Sequence, residues 1–251
     1  MLGRCGQVTA RAAILGLALS CAAGIAPAVS EAPAMQPIVL ELYTSEGCSS
    51  CPPAEVQAAR LATRTDLLVL AYHVDYWDDL GWRDRFSLVA ATTRQRRWAQ
   101  ANDSPQVFTP QLIVDGRQSL LGADGAALAS ALLTARGRHA ANVPRPFTAT
   151  IAGGHLRIDA PDTPLASTLD LYAISFLPQA TTPIPRGENA GRTINEVNVV
   201  RSVSRLAAVT RSGAHLLIDC SAFPADASRL ALLLQNPGTG AVNAALTLKL
   251  R

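Results

Sequence analysis

Cys48 and Cys51, in the stretch EGCSSCPP at residues 46–53, are the side chains of this sequence best placed for chemistry. A Cys-x-x-Cys pair can pass two electrons between dithiol and disulfide, hold half of a metal site, or act as a staple. Proline is tolerated only in the first turn of a helix, so Pro52 and Pro53 put a helix start within or just after the pair. Such a start offers unpaired N–H groups and the positive end of the helix dipole, and both stabilise a thiolate. Cys48 then serves as the nucleophile and Cys51, one turn further in, as the resolving thiol. Ser49 or Ser50 can supply the N-cap. As a staple the pair is weak, since so short a loop stabilises by only about 2 kcal/mol.

The elements that must position this pair are legible on either side of it. PIVLELYT (residues 37–44) and DLLVLAYHVD (66–75) read as buried strands, with a helix over 52–64 between them. That is a β-α-β unit, which predicts parallel strands and a right-handed crossover. After an aromatic and acidic break at 76–86, residues 87–103 have helical spacing with Leu88, Ala91 and Trp98 inward. PQLIVDGRQSLLG turns at Asp115-Gly116 as a hairpin, and 123–140 form an amphipathic helix. This order is that of a thioredoxin-like domain over 36–140, with an inserted helical segment. From 146 to 251 short strands separated by turn residues predict a β-rich, antiparallel sandwich-like domain. RTINEVNVVRSVSRLAAVT (192–210) fits helix and strand equally.

Other residues could attend the pair. His73 ends the second strand, where ligands collect in open α/β sheets; it can act as acid-base during exchange or simply hydrogen-bond under the sheet. In thioredoxin-like folds a cis-proline before the hairpin faces the dithiol, which marks Thr109 and Pro110. Glu46 would oppose a thiolate if close, and is otherwise solvated. Asp75, Trp77 and Trp82 either line a substrate groove or pack the inserted helix. Arg94, Arg96 and Arg97 read as a solvated helix face. Cys220 shares a strand face with Leu216 and Ile218 as a buried thiol. Residues 186–189 (RGEN) dock the second domain onto the first.

The start of the chain predicts the compartment. Residues 1–30 carry Arg4 and Arg11, an apolar stretch and small residues before Ser30, which is the pattern of a cleaved secretory signal. Its removal leaves 20 basic and 19 acidic residues, so nucleic acid and anionic membrane are poor partners. No later run is long enough to span a membrane. Cys48, Cys51 and Cys220, the cysteines left, are too few for a disulfide framework.

YTSEGCSSCPP, AYHVDYWDDLGWRD, VFTPQLIVDGR and RGENAGRTINEVNVVR together resemble the exported proteins of domain-of-unknown-function family 1223, across residues 36–249. The resemblance implies a thioredoxin-like domain with a β-rich extension, in the periplasm of a Gram-negative bacterium; it delivers no substrate. The leading expectation is a thiol-disulfide oxidoreductase acting on protein thiols or disulfides and requiring no organic cofactor. Two alternatives stay open: a soft metal such as Cu(I) on Cys48, Cys51 and His73, and a redox-inert scaffold that binds a partner protein.

Overall fold

The computed structural model describes residues 29–30, 36–141, 147–160 and 168–251. The expected signal peptide lies outside these residues, apart from Val29 and Ser30. Strand β2 (Ile38–Thr44), helix α1 (Pro52–Leu61) and strand β3 (Leu67–His73) come first after the short β1 (Val29–Ser30). Helix α2 (Val89–Ala101), strands β4 (Gln111–Val114) and β5 (Gln118–Leu121), and helix α3 (Gly125–Ala141) follow. Then come β6 (Thr148–Ala152), β7 (His155–Ala160), β8 (Leu169–Pro183), β9 (Thr193–Val209), β10 (Ala214–Asp219), β11 (Arg229–Gln235) and β12 (Val242–Lys249).

β2 and β3 are buried along their whole length, and they pair in parallel with Thr44 opposite His73. Burial on both faces is why they read as near-continuous apolar runs rather than as alternating ones. Leu40, Leu42 and Val69 face α1 and α3 on one side of the sheet. Tyr43, Leu70 and Tyr72 face α2 on the other, where the two tyrosine rings stack at 5.2 Å.

The expected fold class does not hold. The chain is mostly β, not an α/β thioredoxin-like domain with an inserted helical segment followed by a separate sandwich. A single mixed sheet of eight strands runs β12-β11-β8-β9-β3-β2-β4-β5, drawing on both halves of the chain. The undecided segment 192–210 is what changes the architecture. It forms β9, 17 residues long, and hydrogen-bonds with the 15-residue β8 on one side while meeting β3 in parallel at Ala71 and Val199. Asn198, in the left-handed region at φ 49°, sends its side-chain amide to the Val69 carbonyl at 2.9 Å and ties this seam. The smaller sheet, β1-β6-β7-β10, lays Leu156 and Ile158 against Leu171, Leu232 and Leu246 of the large sheet to close a further core. Among the described residues no helix is long and apolar enough to cross a membrane.

Candidate functional site

Cys48 and Cys51 lie in the turn between β2 and α1, joined by a disulfide with their Cα atoms 5.4 Å apart. The turn is set by the Cys48 N–H donating to the Ser45 carbonyl and the Cys51 N–H to the Cys48 carbonyl. Cys51, not a serine, occupies the N-cap position, and no side chain caps the helix. Ser50 is occupied elsewhere. Its hydroxyl lies 3.3 Å from Cys48 Sγ and donates to the Thr109 carbonyl at 3.5 Å. The Thr109–Pro110 peptide bond is cis, and Thr109 Oγ1 accepts from the Trp77 indole at 2.8 Å. Cys48, Cys51, Thr109 and Pro110 thus meet at one place.

Both cysteines are fully buried, although Ser49 and Ser50 beside them are exposed. The cover comes from far along the chain. The β8–β9 connection, residues 184–192, folds back so that Asn189 Nδ2 donates to the carbonyls of Glu46 and Cys48, each at 2.9 Å. The Ser49 N–H donates to Glu188 Oε2 at 3.3 Å. Gly187, at φ 82°, sits so tightly on residues 81–82 that a Cβ there would fall 2.8 Å from the Trp82 Cβ. The RGEN stretch therefore docks onto the dithiol turn itself. Asn189→Ala removes two hydrogen bonds worth about 1 kcal/mol each, which is about 30-fold in an opening equilibrium. Reduction of the pair by dithiothreitol, followed by alkylation of the freed thiols, is expected to accelerate by that order. An unchanged rate would show that this loop is no barrier.

Beside the turn five titratable side chains are buried together: Glu46, Glu55, His73, Asp84 and Glu196. They come from the β2–α1 turn, α1, β3, the 76–86 segment and β9. Asp84 Oδ2 accepts from His73 Nδ1 at 2.7 Å and from the Glu46 N–H at 2.8 Å. Glu46 Oε2 accepts from the Trp82 indole at 2.7 Å, and Glu55 Oε1 from Thr44 Oγ1 at 2.7 Å. His73 Nε2 faces Glu196 Oε1 across 4.0 Å, and neither atom has a hydrogen-bond partner. Burial pushes the His73 pKa down, but the Asp84 carboxylate and its hydrogen bond, with Glu196 and Glu55, bring it up to about 9. Burial lifts Glu196 to about 8; His73 opposes this, and the Glu46, Glu55 and Asp84 carboxylates add to it. Burial likewise raises Glu55 against the hydrogen bond from Thr44. Asp84 is held below its ordinary value, because His73 and two backbone N–H groups outweigh its burial. The cluster holds protons where isolated carboxylates would have lost them.

Several sequence expectations change here. Glu46 is buried rather than solvated, with Arg85 as a cation 3.9 Å from its Oε1. Trp77 and Trp82 bond to Thr109 and Glu46, while Asp75 pairs with Thr92 on α2. Arg94 is no solvated residue either, since it is ion-paired to the buried Glu41. Cys220 is buried and free. Among the described residues no group of three or more His, Cys, Asp or Glu side chains is arranged to hold a metal. His73 Nδ1 is engaged by Asp84, and the two cysteines are bonded to each other. Sequence reading missed Glu55, Asp84 and Glu196. The signal available for Glu196 was a single acid beside Val197, in a stretch that also carries Thr193, Asn195 and Asn198.

The family model described as "Protein of unknown function (DUF1223)" matches residues 39–235. The chain belongs to the DUF1223 family. That match takes in the dithiol turn, the buried cluster and the covering loop together, so the DUF1223 region includes every residue of the candidate site. A crystal structure of an Agrobacterium tumefaciens protein is similar at 28% identity and a TM-score of 0.72, covering 85% of this chain and 94% of that one. HBP35 of Porphyromonas gingivalis shares the fold at 13% identity and a TM-score of 0.59, over 87% of this chain and 76% of its own. No curated protein matches the chain.

Proposed function

We propose that this DUF1223 protein is an exported, periplasmic thiol-disulfide oxidoreductase whose dithiol works only when the β8–β9 loop lifts. The observation that carries this reading is the chain of contacts from Cys48 Sγ through the Ser50 hydroxyl to the Thr109 carbonyl, at the uncapped start of α1. When the pair is reduced, a Cys48 thiolate has the Ser50 O–H as a donor, once that O–H turns from the Thr109 carbonyl, and the positive end of the α1 dipole nearby. It attacks a substrate disulfide, forming a mixed disulfide and expelling one substrate thiolate. Cys51 then attacks Cys48 Sγ, releases the second substrate thiol and restores the Cys48–Cys51 bond. Two electrons pass to the substrate, and a donor dithiol must return them; the reverse sequence oxidises a substrate dithiol. The signal-like residues 1–30 support the compartment.

Full burial of both sulfurs favours a second reading, a redox-inert disulfide in a scaffold that binds a partner. A redox titration of the folded protein separates the two. Samples equilibrated in dithiothreitol buffers of graded poise are alkylated and their thiols counted by mass. Reversible two-electron reduction with the fold intact supports exchange. A potential below roughly −300 mV, or reduction only after unfolding, overturns it.

A further inference from the structure

On the α2 face of the large sheet, away from the dithiol, lies a cavity of about 440 Å³ between α2 and strands β2, β8, β9 and β11. That size is within the range of small-molecule sites. None of its lining residues belongs to the dithiol turn, the buried cluster or the covering loop. Val203 and Trp98 contribute apolar wall, and Val89 stands at the α2 edge with 71% of its surface exposed. Together these side chains give the cavity an apolar wall, which suits a ligand with an apolar body.

Three arginines line the same space. Arg94 is fixed, donating to Glu41 Oε1 and Gln235 Oε1 at 2.7 Å each, with Tyr72 and Tyr172 rings 5.6 and 5.2 Å from its guanidinium carbon. Arg97 and Arg205 are exposed; Arg97 donates to the Tyr172 hydroxyl at 3.3 Å and Arg205 to Asp170 at 2.7 Å. A guanidinium has five N–H donors, and the bonds named use one on each of these two. Glu41 and Asp170 are the carboxylates that answer the three cations, so one positive charge is left over. We propose that this cavity binds an organic monocarboxylate with an apolar body, its carboxylate held by Arg97 and Arg205 and its body against Val89, Trp98 and Val203. The pairing follows from the fork geometry of guanidinium and carboxylate.

The test is calorimetric titration of the full chain with 2-naphthoate and with its uncharged isostere 2-naphthamide. Naphthoate is expected to bind as a single equivalent, and the amide about tenfold more weakly or worse. Arg97→Ala and Arg205→Ala, both at exposed positions and checked for fold by circular dichroism, should each weaken naphthoate about tenfold while leaving the amide unaffected. Absence of naphthoate binding up to the millimolar range overturns the proposal. So does equal affinity for acid and amide, which is read on the unaltered protein, or indifference of naphthoate to both arginine variants.

Discussion

Cys48→Ser protein is expected to show no dithiothreitol-coupled reduction of insulin, whereas Cys51→Ser protein should accumulate as a mixed disulfide through Cys48. The asymmetry comes from where each residue sits. Cys51 is locked into the first turn of α1: its N–H donates to the Cys48 carbonyl, and its own carbonyl accepts from Ala54 and Glu55. Cys48 precedes the helix, and its sulfur has the Ser50 hydroxyl, itself in reach of the Thr109 carbonyl, as a neighbour. A substrate chain that approaches Thr109 therefore meets the Cys48 side of the pair. With Cys51 gone, the pair has no second thiol to resolve the intermediate, and after the dithiothreitol is removed non-reducing electrophoresis will show the adduct. Full activity in Cys48→Ser would remove the oxidoreductase reading, and trapping in Cys48→Ser in place of Cys51→Ser would exchange the two roles.

Thermal stability is expected to fall as the pH rises from about 6.5 to 9. His73 moves from 6.5 in the open chain to about 9 in the fold, so its contribution is complete below 6.5 and is lost as the pH passes through 9. Glu196 moves from 4.5 to about 8, and over that interval the folded chain keeps a proton that the unfolded chain has released. Both groups thus weaken the fold in the same direction on alkalisation. Because they share one cluster their effects overlap, and together they amount to on the order of 3 kcal/mol, or roughly 10 °C in Tm. Glu196→Gln, which keeps the shape and removes the titration, should raise the Tm at pH 9 more than at pH 6. Calorimetric melts that are level across this range would show that the cluster does not hold its protons. Asp84 acts at the other end: its depressed pKa gives stability that is lost as acid protonates it.

Much of the site's covalent core was legible in the sequence, because its parts carry strong local signals. A Cys-x-x-Cys before two prolines, a Thr-Pro step and an Asp-Gly turn each restrict the backbone within a few residues. The parallel pairing of β2 and β3 was legible for the same reason: burial on two faces leaves long apolar runs. β9 was not. Ile194, Val197, Val200 and Val203 fit a helical period as well as a strand. In the fold, register shifts at Leu171/Tyr172 and Ser175/Phe176 break the alternation along the β8–β9 pair. A strand of that length, placed beside β3, turns two expected units into one sheet. The charge cluster was hidden for another reason. A single acid among the polar and branched residues of β9 looks like an outward position until a partner arrives from elsewhere in the chain. Arg94 was within reach, since Ala91, Arg94 and Trp98 lie three and four residues apart, on the inward face of α2.

Asn189 stands 141 positions after the cysteine whose carbonyl it holds. At ribosomal speeds of about 5–20 residues per second, that interval is on the order of ten seconds. Throughout it a growing chain carries two bare thiols with no hood to shield them. On the reading proposed above, the redox state of the pair is set before the β8–β9 loop closes, and later change waits on its lifting.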